Sequence, residues 1–158
     1  MVRGAFSLLL ALTSAAAQTV VEDPVKIAEA EKAIETMQGE PLQCEVVPMK
    51  PRFNFSLRLQ SGYLYRVPMN QYQGAGHRWA VLTRITPQEG NQGPVYLSDV
   101  VRLPPVPKTK LMATSSGSYW LGEGRYTVKW LLFDNGGRVC RKEWQVEAQL
   151  SSAELAAV

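Results

Sequence analysis

Gly124-Arg125-Tyr126-Thr127-Val128-Lys129-Trp130-Leu131-Leu132-Phe133-Asp134-Asn135-Gly136-Gly137-Arg138-Val139-Cys140-Arg141-Lys142-Glu143-Trp144 carries two alternating runs on either side of a glycine-rich turn. Tyr126, Val128, Trp130 and Leu132 recur at every second position, the period of a strand with one buried face. A second strand follows from Val139 to Ala148. Between them, Asp134-Asn135-Gly136-Gly137 offers residues that tolerate positive φ, as a tight hairpin turn requires. A β-hairpin is therefore predicted here.

Working upstream, the same period returns. Phe53, Phe55, Leu57 and Leu59 alternate with Asn54, Ser56, Arg58 and Gln60 and read as one strand; Tyr63, Tyr65 and Val67 continue it after a bend or bulge at Gly62. Trp79, Val81, Thr83 and Ile85 form the next, ending at Pro87, and Val95 to Leu103 another, stopped by Pro104-Pro105-Val106-Pro107. Gln88–Pro94 and Pro104–Gly117 read as long loops, and Ser115-Ser116-Gly117-Ser118, with no base nearby in sequence, reads as loop as well. Short strands with turn signals and no intervening helices argue for a mainly β fold, an antiparallel sandwich, and against alternating α/β architecture. One helix precedes it: Asp23 is a good N-cap, Pro24 suits the first turn, Gly39 suits the position after the C-cap, and Ile27, Ala30, Ile34 and Met37 make a narrow apolar stripe. That stripe can lie on the domain or on a partner chain. Ser151 with Glu154 can cap a last helical turn.

Gly-x-Tyr-x-Val entering a strand, then Asp134-Asn135-Gly136 and a closing strand with Trp144, resembles the last hairpin of immunoglobulin-like and fibronectin-type-III-like sandwiches. The resemblance implies an immunoglobulin-like β-sandwich in which Tyr126 is a tyrosine corner, its hydroxyl turned back onto nearby backbone. It departs from the antibody pattern in that Cys140 lies on the final strand, not two residues after Tyr126. A bridge from Cys140 to Cys44 would then staple the terminal strands. The run from Cys44 to Trp144 is also similar to small uncharacterised exported bacterial proteins, which lend no activity.

The start of the chain sets the compartment. Met1-Val2-Arg3 gives a positive start, Ala5 to Leu12 is apolar apart from Ser7, and Ala15-Ala16-Ala17 gives a small-x-small cleavage pattern. The expected organisation is a signal peptide over 1–17, an N-terminal helical segment over 18–40, the sandwich over 41–149 and a tail over 150–158. An ordinary amphipathic or buried N-terminal segment is the alternative. The apolar run is too short to cross ~30 Å of hydrocarbon, and no later stretch reaches a membrane span. In a periplasmic or extracellular setting two cysteines, Cys44 and Cys140, are a natural disulfide pair. The rivals are free thiols or a metal site, but two scattered sulfurs with His77, the single histidine, make an incomplete zinc shell.

The 158 residues are 46% hydrophobic and 20% charged, with a net charge of +3, or +2 once Arg3 is removed with the signal peptide. So small a charge on an exported domain argues against nucleic acid, although Arg125, Lys129, Arg138, Arg141 and Lys142 gather on the last hairpin. His77 sits in a glycine-bearing loop with no nucleophile at a suitable spacing. Glu123 and Asp134 flank one strand, and Leu121-Gly122-Glu123-Gly124 follows no strand-to-helix transition. No catalytic, cofactor or metal residue is assigned. Asn54-Phe55-Ser56 is a glycosylation sequon. Trp79, Trp130 and Trp144 are expected in the core, while Tyr63, Tyr65, Tyr72, Tyr119 and Trp120 are the candidate binding surface. The functional expectation is an exported, non-catalytic module that binds another envelope or secreted protein; the alternative is a carbohydrate- or small-ligand-binding domain.

Overall fold

The computed structural model describes residues 18–156, so the expected signal peptide lies outside the described residues. Nine strands and two helices follow in chain order: β1 (Thr19–Val20), α1 (Pro24–Thr36), β2 (Glu40–Pro41), β3 (Glu45–Phe53), β4 (Leu59–Pro68), β5 (Arg78–Pro87), β6 (Val95–Arg102), β7 (Met112–Leu121), β8 (Gly124–Asp134), β9 (Arg138–Ala148) and α2 (Ser152–Leu155). They form two sheets, one in the order β1-β6-β5-β8-β9-β2 and the other β3-β4-β7. Every pairing is antiparallel except the short parallel one between β2 and β9. The fold is a mostly β sandwich with one longer helix near the N-terminus.

The predicted hairpin forms between β8 and β9. Asp134 Oδ1 accepts from Gly136 N and Arg138 N, and Gly137 takes φ 85°, so three residues close the turn with the last in the left-handed region. Other expectations are corrected. Phe53 to Gln60 is not one strand, because Asn54 to Arg58 is the turn joining β3 to β4. The irregularity expected at Gly62 lies on its partner: β3 bulges between Met49 and Arg52, opposite Gly62 to Gln60, while β4 keeps an unbroken register with β7, and a Cβ at Gly62 would stand 2.2 Å from the Gly117 carbonyl oxygen. Close backbone approach, not curvature, is what needs that glycine. The supposed loop over the serines is most of β7. Met37, not Gly39, sets the helix end, its N–H bonding to Ala33 O.

The N-terminal segment belongs to the sandwich. β1 and β2 flank α1 and add to opposite edges of the six-stranded sheet. Asp23 caps the helix through Val25 N (2.8 Å), as its sequence promised. Ala30 and Ile34 pack on Tyr96 and Leu131, on the face of that sheet turned away from the other. Glu35 reaches down to Arg84 (2.7 Å) and Lys129 (2.9 Å), and Arg141 meets the last helical carbonyls, of Ile34 and Met37. A guanidinium there complements the negative end of the helix dipole.

Between the sheets lies the main core, with Trp79, Trp130, Trp144, Tyr63, Tyr65 and Val128 all buried. Cys44, just before β3, is joined to Cys140 on β9. The bridge joins the last strand not to the first but to the start of the third, β3, and because β3 and β9 lie in different sheets it ties the two layers together. At the start of β8 the Tyr126 hydroxyl donates back to the Gly122 carbonyl at 3.1 Å. At its far end Asp134, 4% exposed, accepts from the Tyr72 hydroxyl (2.9 Å) and Arg138 Nε (2.8 Å), and Trp79 Nε1 donates to that same hydroxyl (2.9 Å). This network fastens the hairpin to the segment after β4.

Two outcomes follow from these two fastenings. Reduction or Cys44→Ser frees a loop spanning 96 positions and should lower unfolding free energy by about 2–5 kcal/mol in denaturant titration; an unchanged midpoint would contradict the clamp. For Asp134, burial pushes the carboxyl up, but the Arg138 amide, the Tyr72 hydroxyl and the Arg138 guanidinium outweigh it and hold the group below its ordinary value of 3.8. Its stabilisation is therefore complete above that value and is lost as pH falls through the lower folded one. Asp134→Asn should cost about 3 kcal/mol at neutral pH, a gap that narrows in strongly acid solution.

Candidate binding surface at the tip of the sandwich

The turn between β3 and β4 is built by one side chain. Asn54 Oδ1 accepts from Ser56 N (3.0 Å) and Arg58 N (3.1 Å), while Asn54 N donates to Arg58 O (2.9 Å). An asparagine closing such a loop offers the backbone partners it lacks from a neighbouring strand. Leu57 is thereby held at φ 57°, the one non-glycine residue with positive φ among the described residues. The consequence is a projecting tip. Phe55 is fully exposed and Leu57 is 59% exposed.

Trp120 joins them from the neighbouring strand. It stands opposite Gln60 in the β4–β7 register, 59% exposed, with the Arg58 guanidinium 4.7 Å from its ring centroid. Two grooves flank this group. One, of about 840 Å³, runs past Met49, Arg52, Phe53, Phe55 and Leu57. The other, of about 730 Å³, opens between the two sheets and is lined by Trp120, Tyr126, Ile85, Val95 and the amides of Gln18 and Gln92. Asn54, Gln60 and Ser118 line both. The sequon at Asn54 is already engaged, since its Nδ2 donates to Gln60 Oε1 at 3.3 Å.

Of the five aromatic residues read as a binding surface, only Trp120 is on it. Tyr63, Tyr65, Tyr72 and Tyr119 are 1%, 2%, 4% and 5% exposed. Strand period explains three of them: Tyr63 and Tyr65 on β4 and Tyr119 on β7 occupy positions facing the other sheet, where Trp130 and Trp144 meet Tyr63 edge-on. Tyr72 is taken by Asp134 and Trp79. Burial pushes the Tyr63 and Tyr72 hydroxyls up to about 12. Phe55 and Leu57 went unrecognised because their alternation with polar residues imitates a strand. The signal available was Asn54 itself, a turn-former between two apolar runs.

The remaining candidates are not brought together. Glu123 and Asp134 sit at opposite ends of β8, ~30 Å apart for an extended strand of that length; Glu123 accepts from Leu150 N. His77 lies against the edge of Tyr72, its Nε2 bonded to the Gln73 carbonyl. The basic residues of the last hairpin are dispersed: Arg125 pairs with Glu89, Lys129 with Glu35, Arg138 with Asp134, and Arg141 with the end of α1. Among the described residues no cluster of three or more histidine, cysteine or acidic side chains is placed to hold a metal, and no helix is long and apolar enough to cross a membrane. No protein-family model matches the chain, and neither a curated protein nor a solved structure matches it.

Proposed function

We propose that this chain is an exported, non-catalytic interaction module that binds another envelope or secreted protein through the tip formed by Phe55, Leu57 and Trp120. The observation that carries the proposal is the tip itself: Phe55 and Leu57 stand in water on a turn closed by the Asn54 side chain, with exposed Trp120 on the neighbouring strand. Aromatic residues held in one geometry lose little conformational entropy on binding, and residues of this kind dominate interface energies. Surface apolar residues scattered singly need no explanation, but exposed apolar residues lining two grooves that share Asn54, Gln60 and Ser118 do.

The architecture supports this reading. In immunoglobulin-type sandwiches one sheet runs C′-C-F-G and faces A-B-E. The order β6-β5-β8-β9 facing β3-β4-β7 matches that pattern, with Tyr126 near the start of the strand that would be F. In such folds, binding residues commonly sit on loops at one end of the sandwich. The turns β3–β4 and β7–β8 share one end here, equivalent to A–B and E–F and opposite the end that carries the B–C and F–G loops, so the tip is supported by its own exposure and not by that analogy. Export draws support from the leader pattern over 1–17 and from the disulfide, which suits an oxidising periplasmic or extracellular compartment.

A glycan or other small polar ligand is the second reading, and the groove beside Trp120 is the reason for it. An indole rimmed by the amides of Gln18, Gln60 and Gln92 is suited to stacking on and bonding to a sugar ring. Against it, the Arg58 guanidinium already lies over the Trp120 ring.

One pair of variants separates the readings. Phe55→Ser with Leu57→Ser alters exposed side chains and should change stability by less than about 1 kcal/mol. A partner captured by the wild-type protein from an envelope fraction should bind this variant at least ~30-fold more weakly, as loss of a hot spot implies. Undiminished capture would contradict the tip. Glycan-array binding lost in Trp120→Ala but retained in the tip variant would instead favour the sugar.

A further inference from the structure

We propose that β7 is a pairing edge for a second copy of this chain, joined antiparallel about a two-fold axis at Ser116. This goes beyond the tip reading and does not rest on it.

Two long strands end the smaller sheet, and they are treated in opposite ways. β3 carries Pro48, Lys50, Pro51 and Arg52, and its register with β4 breaks between Met49 and Arg52. Prolines, charges and a bulge are the devices that keep a sheet edge from recruiting another strand. β7 has none. Over Met112-Ala113-Thr114-Ser115-Ser116-Gly117-Ser118-Tyr119-Trp120-Leu121 there is no charged residue and no proline, and the register with β4 is unbroken. Apart from the two-residue β1, every other strand contains a charge or a proline. The larger sheet ends in β1 and β2, each only two residues long. Beyond those short pairings β6 and β9 are open as well, but both carry charges, so among the described residues β7 is the one long edge with neither a charge nor a proline.

That edge already accepts an amide. Ser118 N donates outward to Gln18 Oε1 at 3.1 Å, so the even-numbered residues of β7 direct their backbone groups away from β4. The Gln18 side chain stands where the peptide of an adjoining strand would lie, and a carbonyl of that strand would replace its oxygen.

The pattern is self-complementary. Antiparallel pairing about Ser116 sets Thr114 against Ser118 and Met112 against Trp120, all on the exposed face. Small hydroxyl residues then meet at the centre, and at each end a thioether meets an indole, a favourable contact. No like charges face each other.

Analytical ultracentrifugation of the mature chain across a dilution series tests this, with Ser116→Lys and Ser116→Pro as variants. Both keep the β4 pairing, since Ser116 turns its N–H to the open edge, and circular dichroism checks that both stay folded. The proposal expects a concentration-dependent dimer for the wild type and a monomer for each variant. A wild type monomeric at every concentration would overturn it, leaving a strand of another protein as the occupant to seek. A dimer indifferent to both variants would overturn it equally. Should the variants unfold, amide exchange of wild-type Thr114 and Ser116 decides: slowing with concentration supports the pairing, and rates independent of concentration refute it.

Discussion

Trp130 stands between the two sheets at 1% exposure, with the rings of Tyr63 and Tyr65 centred 5.8 and 5.4 Å away, and the molecule is arranged around that contact. Aromatic pairs in tilted and edge-on geometry contribute about 0.5–1.5 kcal/mol each beyond the area they bury. Trp79 and Trp144 extend the cluster through Tyr65 and Tyr63. The three-stranded sheet supplies tyrosines and the six-stranded sheet supplies tryptophans, so neither layer completes the core alone. The Cys44–Cys140 bridge and the Asp134 network hold the layers in the register this packing needs.

That packing also decides which surfaces remain free. A β-sandwich core this rich in aromatics absorbs Tyr63, Tyr65 and Tyr119, and α1 covers part of the outer face of the larger sheet through Ala30 and Ile34. The basic residues of the β8–β9 hairpin are spent largely on the helix and on the turn. Among the exposed large apolar side chains of the described residues are Phe55, Leu57 and Trp120 at the tip and Met112 on β7, where the proposed contacts lie.

Much of this was legible in the sequence where the deciding interactions are local. Asp134-Asn135-Gly136-Gly137 encodes its own turn, Asp23-Pro24 its own helix start, and Ser151 with Glu154 its capping box. Strands β3 and β7 were not legible. Prolines interrupt the first and the second is a run of small hydroxyl residues, so each is extended chiefly because β4 lies beside it. The tip was hidden for the opposite reason: Phe53-Asn54-Phe55-Ser56-Leu57 keeps a strand's alternation straight through a turn. Which tyrosines face water depended on pairing register, a property of two strands together.

The inter-sheet core consumes the aromatic side chains and leaves Trp120 as the one tryptophan in water. Trp79, Trp130 and Trp144 are 2%, 1% and 9% exposed, against 59% for Trp120. Acrylamide quenching of tryptophan fluorescence, compared between the wild type and Trp120→Phe, tests this directly. The wild type should show an accessible emitting component that disappears in the variant, leaving emission from shielded indoles. An accessible component that survives in Trp120→Phe would place another tryptophan in water and contradict the core on which the account rests.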